Sequence, residues 1–397
     1  MIEPHCQMTA ENVAAQDLVL CVGDTTFLDY GSIEAKKEGY GPIGKGGNGL
    51  ILHSALAIEP KNGQSLGLLW QKLWNREPKQ KPPKDETPTQ KKKRQAAARK
   101  EARNRSFEQK ESYRWVEALT TVENLTSKHT RVVHVFDREG DITEVFDKVR
   151  QLQHTGVLVR AAHNRSLAQQ SERLWSKLLA QPTSFEQEIE LPSTGQRSAR
   201  KTKLAVRFCP INLRTPYRFE NRDPLPVYAV YATEIDCPED ETPVEWILLT
   251  TEVVADIQTT ATILCWYTYR WRVEEYHKIF KSGCQVERYR LAADGMKTLI
   301  GFLSVIAVEL LQLTYLHRTQ PAAPAIEILN PLELKILKAK SRKLPKVLTI
   351  SWAVEAVARL GGYLEHRSKT PIGIQVLWRG WLKLHDLCEG WQLAKET

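Results

Sequence analysis

Two kinds of hydrophobic pattern alternate along the chain. One is the short, unbroken apolar run of a buried strand: LVLCV at 18–22, the segments 50–58 and 65–70, and RVVHVF at 131–136. A glycine-rich turn at 44–49 precedes the second of these runs. The other is a spacing of three and four. It predicts a helix over 107–125, with Tyr113, Val116 and Leu119 among its apolar positions, and a second over 143–152. GVLVRA at 156–161 is strand again. From about 184 to 251 the pattern alternates, as in KLAVRF (203–208), PVYAVYAT (226–233) and EWILLTT (245–251), and predicts a β-rich insertion. Helical spacing resumes at Asp256, reaches a stop at Gly283, and continues to the end of the chain through proline-containing links at 321–331 and near Pro371. With the insertion set aside the order is β-β-β-α-β-α-β followed by helices, an α/β chain without internal repeats.

One stretch breaks the usual rule for helix faces. In YTYRWRVEEYHKIFK, Tyr267, Arg270, Glu274, Lys278 and Lys281 recur at steps of three, four, four and three. On a continuous α-helix they share one face. The apolar positions Tyr269, Val273, Tyr276 and Phe280 fall on another, roughly 130° away. Such a helix docks by its apolar side and presents a charged comb on the other. The bland alternative is a solvated, salt-bridged face.

Composition adds little until charge is considered. The chain has 42% hydrophobic and 26% charged residues, ordinary for a globular protein, and a net charge of +9. That excess fits a polyanionic partner such as nucleic acid, or simply a basic soluble protein. Much of it sits in a basic arm at 76–105, nearly all Lys, Arg, Pro, Gln and Ala, including KPPK (81–84) and KKKR (91–94). With so little to bury, its Pro-rich first half at least is expected to be disordered. It reads either as a solvated loop or as a flexible arm that contacts phosphates. Seven scattered cysteines form no CxxC pair, which argues for reduced thiols and against a zinc site or a disulfide framework. No signal peptide is evident at the N-terminus. Segment 299–316 is apolar but interrupted by Glu309 and Gln312, and reads as a buried helix rather than a membrane span.

The candidate chemistry lies in three acids. Asp24 follows the first strand, Asp137 follows the fourth, and Glu274 stands on the comb, about 100° from its neighbour Glu275. Acids at strand ends and on a nearby helix can converge at one sheet edge. Converged carboxylates need neutralising cations, and a pair of Mg²⁺ ions is the natural occupant. Two such ions suit phosphodiester chemistry. Taken singly, Asp24 and Asp137 are equally cap or turn residues, and Asp29 and Asp141 are nearby competitors.

These residues resemble the signature of the DDE transposases of the insertion-sequence-four family. The family's Tyr, Arg, Glu, Lys spacing is met by Tyr267, Arg270, Glu274 and Lys281. Its first Asp lies in a D-T-T context, as does Asp24, and its second in a D-R-E context, as does Asp137. The resemblance covers most of the chain apart from the basic arm. It implies an RNase H-like mixed sheet flanked by helices, with a core at 1–183 and 252–298, a β-rich insertion at 184–251 and a C-terminal helical dimerisation region at 299–397. LWRGWLKL (377–384) and GWQLAK (390–395) match the family's dimerisation helices.

The implied function is cut-and-paste DNA transposition through a hairpin intermediate. Asp24, Asp137 and Glu274 would be catalytic ligands of two Mg²⁺ ions, for which Mn²⁺ could substitute. Tyr267, Arg270, Lys278 and Lys281 would hold DNA phosphates, Trp246 would handle a flipped base, and Arg160, His163 and Arg165 of VRAAHNR would contact DNA. Trp246 reads alternatively as a sheet-core residue. The implied partners are transposon-end and target duplex DNA and a second copy of the chain, in a bacterial cytoplasm. Only 23 residues precede Asp24, where the family has a helical end-binding domain. The chain is therefore expected to lack that domain, and a catalytically silent, dimer-forming inhibitor is the alternative. A general nuclease is a third reading.

Overall fold

The computed structural model describes residues 2–31, 38–44, 46–78, 85–168, 172–191, 199–364 and 372–396. Two sequence expectations, the disordered KPPK stretch and the link at Pro371, lie outside them. The fold is α/β, a mixed and largely antiparallel sheet flanked by helices.

Among the described residues the sheet has ten strands. They are β1 (Leu18–Asp29), β2 (Gly41–Gly44), β3 (Gly47–Ile58), β4 (Ser65–Trp74), β5 (Arg131–Phe136), β6 (Thr155–Arg160), β7 (Phe185–Leu191), β8 (Arg200–Leu213), β9 (Leu225–Ile235) and β10 (Glu245–Thr250). Their order is β2-β3-β1-β5-β6-β10-β9-β8-β7, and β4 also pairs with β3. β1, β5 and β6 run parallel at the centre; every other pairing is antiparallel. The central strands are continuous Val/Leu runs because both faces are covered. The insertion strands do not form a separate sheet. They extend the central one, β10 pairing with β6.

Strand parity assigns each face. Leu20, Val22, Val133, Val135, Leu158 and Leu248 point into one core cluster. It is closed by α6 (Ile257–Thr268), α7 (Trp271–Lys278) and α8 (Ala293–Thr319), with α9 (Pro331–Lys340), α10 (Ile350–Leu360) and α11 (Ile374–Glu396) behind. Val19, Cys21, Val132 and Val157 point the other way. That face is covered by α1 (Glu3–Val13), α3 (Tyr113–Leu125), α4 (Thr143–Val149) and α5 (Leu174–Leu179). α8 is long and apolar enough to cross a membrane by length and composition, but here most of it is buried against β4, α7 and α10.

Three expectations need correction, and one element, the leader before β1, carried none. The leader before β1 is helical: α1 buries Cys6, Thr9, Ala10 and Val13 against β4, a weak amphipathic pattern easily passed over. Asp24 does not follow β1 but lies within it, paired with Ser54 of β3. The basic arm is not wholly irregular. Its second half is α2 (Pro88–Asn104), opened by a Thr87/Gln90 capping box. Finally, 256–283 is not one α-helix. Backbone bonds from Tyr269 to Trp266 and from Arg270 to Tyr267, both 3.1 Å, tighten the chain between α6 and α7. A π-turn, Ile279–Gly283, closed by Cys284 N–H to Ile279 O at 2.9 Å, ends it.

Candidate active site

Parallel register brings the two aspartates together. β1 and β5 pair Val22 with Val135, and the same offset two residues on carries Asp24 to Asp137. Adjacent strands are about 4.8 Å apart. Both aspartates continue the parity of Leu20–Val22 and Val133–Val135, and so face the layer of α6 and α7. The offset between β5 and β6 brings Arg160 beside Asp137 in the same row. Asp137 caps a short helical turn, its Oδ1 accepting Glu139 N–H at 2.9 Å. Asp24 Oδ1 accepts Thr25 N–H at 2.7 Å.

Asp24 is the electrostatically strained member. Burial, then the neighbouring Asp137 charge, raise its pKa to about 7, against the pull of the Thr25 N–H and Arg270. Glu274 also acts on it, in the raising direction. A carboxyl that keeps its proton near neutrality beside a second carboxylate suits a cation-binding position in donor chemistry.

Glu274 stands on α7, above this row. Its carboxylate is half-exposed and accepts from Arg270 Nη2 at 2.6 Å. Among the described residues no group of three or more His, Cys, Asp or Glu is close enough to hold a metal ion. Asp24 and Asp137 bring only carboxylate oxygens, the donor type a hard divalent cation takes, whereas Glu274 in this conformation serves Arg270. α7 itself is firmly seated. Val273, Tyr276 and Phe280 are fully buried, and Gln71 Nε2 bonds Tyr276 Oη, Ser54 Oγ and Ser304 Oγ at 3.2, 3.2 and 3.0 Å. At the start of α7, Gly63 (φ +78°) turns tightly against Tyr269. A Cβ there would lie 2.5 Å from the ring.

The comb does not stand as a row of exposed teeth. Tyr267 is buried at 3% exposure and meets Trp246 edge-on at 5.1 Å. Trp246, at 4%, also packs on Trp271 at 5.9 Å; in this conformation it is a core residue with no open face for a base. Arg270 lies over the Tyr267 ring at 5.9 Å. Lys281 Nζ is engaged internally, donating to Phe27 O at 2.8 Å and pairing with Glu287 at 3.1 Å. Lys278 is exposed and borders a groove of about 870 Å³ between β7 and α7–α8, together with Glu274. The tightened turn before α7 and the π-turn after it explain the difference, because both alter the angular step that the spacing assumed.

The basic segment after β6 divides similarly. Arg165 is a structural clamp: it grips the Asp141 carboxylate through Nε and Nη2 at 2.8 and 2.6 Å and reaches Asp141 O at 2.7 Å. Asp141 is 1% exposed, and its other oxygen accepts the Ala162 and His163 N–H groups at 2.7 and 3.1 Å. The expectation that Arg165 contacts DNA is thus corrected, because its donors are spent on a buried carboxylate. His163 is exposed. Arg160 turns toward the aspartate row. Burial lowers its pKa, and its electrostatic neighbours are Tyr267, Arg138 and Arg270. Arg160 Nη2 donates to Glu245 O at 2.7 Å, yet among the described residues the buried Nε atoms of Arg160 and Arg270 both lack partners.

Two residues of the site carry no distinctive sequence signal. Arg114, at the start of α3 and 9% exposed, donates from Nε to Thr25 Oγ1 at 3.0 Å and pairs with Glu139. His53, fully buried, meets Thr25 Oγ1 through Nδ1 at 2.8 Å. Arg114, Thr25 and Glu139 thereby tie the two aspartate segments together. A lone arginine in an amphipathic helix and a histidine inside an apolar strand do not advertise that role.

No protein-family model matches this chain.

Proposed function

We propose that the chain is an RNase H-like DNA transposase core of the DDE type, acting on duplex DNA by phosphodiester cleavage and strand transfer. The observation that carries the reading is the in-register pair Asp24–Asp137 facing the helix that bears Glu274. The order β4-β3-β1-β5-β6, antiparallel in its first three strands and parallel in the next two, supports the fold reading. So do the two cationic side chains beside the aspartate row, Arg160 by register with Asp137 and Arg270 by its pull on Asp24.

In this reading the guanidinium groups of Arg160 and Arg270 bind the non-bridging oxygens of the scissile phosphate and stabilise its developing charge. Tyr267, wedged between Trp246 and Arg270, braces the guanidinium. Lys278 meets the flanking backbone from the groove. Arg114 fixes the backbone on which Asp24 sits through Thr25. Asp24 and Asp137, joined by Glu274 once it leaves Arg270, would hold Mg²⁺ or Mn²⁺, which supplies Lewis-acid activation of the attacking and leaving oxygens. Nicking, hairpin formation and strand transfer would follow one another at this site, in a homodimer that joins two DNA ends.

The test is Mg²⁺-dependent nicking of supercoiled plasmid by wild type and by Asp24→Ala, Asp137→Ala and Glu274→Ala, with circular dichroism confirming folding. All three substitutions should abolish nicking. Full activity in any one would remove that residue from the ligand set.

The Arg270–Glu274 ion pair favours a second reading, a catalytically silent chain that inhibits an active relative by dimerising with it. Co-expression with such a relative should then lower transposition even with Glu274 mutated, and an unchanged rate would count against it.

A further inference from the structure

We propose that α2 is a docking helix for duplex DNA, its Lys92–Arg99–Arg103 stripe tracking phosphates beside the active-site rim; the choice of DNA as the polyanion rests on the function proposed above. None of the seventeen residues of this helix is buried. A helix that is polar all round lacks the apolar burial that usually stabilises one. Its stability must come from its caps, its ion pairs and whatever it binds.

Its charge is sorted by face. At about 100° per residue, Lys92, Arg99 and Arg103 fall within an arc of roughly 40°, with Lys93 and Lys100 on its shoulder. The acid Glu101 lies opposite, paired with Arg105 at 2.9 Å, and Arg94 is paired with Glu86 at 2.7 Å. Among the described residues, Lys92, Arg99 and Arg103 have no acidic partner. The stripe spans about 16 Å at 1.5 Å per residue, and a helix about 10–12 Å wide suits a major groove about 12 Å wide.

Placement makes the charge useful. The chain leaves β4 at Trp74 and re-enters the fold at Tyr113, both at the Asp24 end of the sheet. Arg76 lies over the Phe27 ring at 5.6 Å and pairs with Glu111 at 2.6 Å, while Arg114 bonds Thr25. The basic helix is thus anchored on both flanks within a few residues of the acidic row. Duplex held by α2 would run toward the site. An anionic membrane is a poorer occupant, because α2 contains no Leu, Ile, Val, Phe, Trp or Tyr to insert.

The experiment uses the full chain, a fluorescein-labelled 30-base-pair duplex of arbitrary sequence, and EDTA, so binding is read without cleavage. Anisotropy titrations from 50 to 200 mM NaCl compare wild type with K92Q/R99Q/R103Q. A second variant, K91Q/R94Q/R105Q, removes the same charge from the other side, and circular dichroism checks that losing the Glu86–Arg94 and Glu101–Arg105 pairs leaves the helix formed. The stripe variant should bind at least ~10-fold more weakly at 0.1 M salt, with a salt slope shallower by about 2–3, as expected for three lost phosphate contacts. The second variant should bind nearly as wild type does. Equal losses in both, unchanged binding in the stripe variant, or equal preference of wild type for single strands would overturn the proposal. A chain that cuts nothing can still pass this test, so its failure is distinct from failure of the catalytic reading.

Discussion

Asp24 should cost the folded protein stability when no cation is bound, and the cost should depend on pH. Its pKa is raised to about 7 by burial and by Asp137, against about 3.9 in an unfolded chain. Between those values the folded state holds a proton that the unfolded state has released. Stability therefore falls as pH rises through this window. Below about pH 4 both states are protonated and the penalty vanishes; above about pH 7 it is complete. Three pKa units correspond to about 4 kcal/mol as a ceiling, which charge relaxation and water will reduce. Asp24→Asn keeps the shape, and the acceptor for the Thr25 N–H, but removes the charge. The variant should therefore be more stable than wild type at pH 8, by ~1–4 kcal/mol, with the difference shrinking toward zero near pH 4. Urea unfolding at both pH values in EDTA measures it. Millimolar Mg²⁺ or Mn²⁺ should stabilise wild type at pH 8 and leave Asp24→Asn unmoved. A variant less stable than wild type at pH 8, or a difference independent of pH, would refute the argument that Asp24 is a strained carboxyl awaiting a cation.

Arg165→Ala should destabilise the fold by ~3–5 kcal/mol in urea unfolding, because it leaves Asp141 buried without its partner; weaker DNA binding at unchanged stability would instead restore a DNA-contacting role. Trp246→Ala should cost ~3–5 kcal/mol as a core truncation between Tyr267 and Trp271, again read by urea unfolding, and a loss under 1 kcal/mol would contradict its burial. Glu274→Gln, at a half-exposed position, should change stability by less than ~0.5 kcal/mol while abolishing nicking; retained nicking would exclude Glu274 as a ligand.

The strand pattern was legible because unbroken apolar runs such as RVVHVF have few alternatives once flanked by turn residues. RVVHVF is β5 residue for residue. The nearness of Asp24 and Asp137 follows from the parallel register of β1 and β5, in which each lies two residues past an aligned apolar pair, Val22 and Val135. The comb was legible only as a spacing. Periodicity assumes a constant turn, and the local tightening at Tyr269–Arg270 and the π-turn after Lys278 depend on packing with the Gly63 turn and α8, which no local pattern encodes. Arg165 was misread for a different reason. A guanidinium in a polar loop has the same sequence signature whether it faces phosphate or a buried carboxylate, and only the fold reveals Asp141 beneath it. Arg114 and His53 went unseen because their partners lie far away in sequence, on Thr25.

The most direct test of the central claim uses end-labelled duplex from the boundaries of the proposed element around this chain's coding sequence, incubated with purified protein and Mg²⁺, beside Glu274→Ala. The account predicts a nick at the element end, then a hairpin closing that end with release of the flanking duplex, in wild type alone. Nicking of unrelated duplexes without a hairpin would contradict it in favour of a general nuclease, and no cleavage by folded wild type would contradict it in favour of a silent chain.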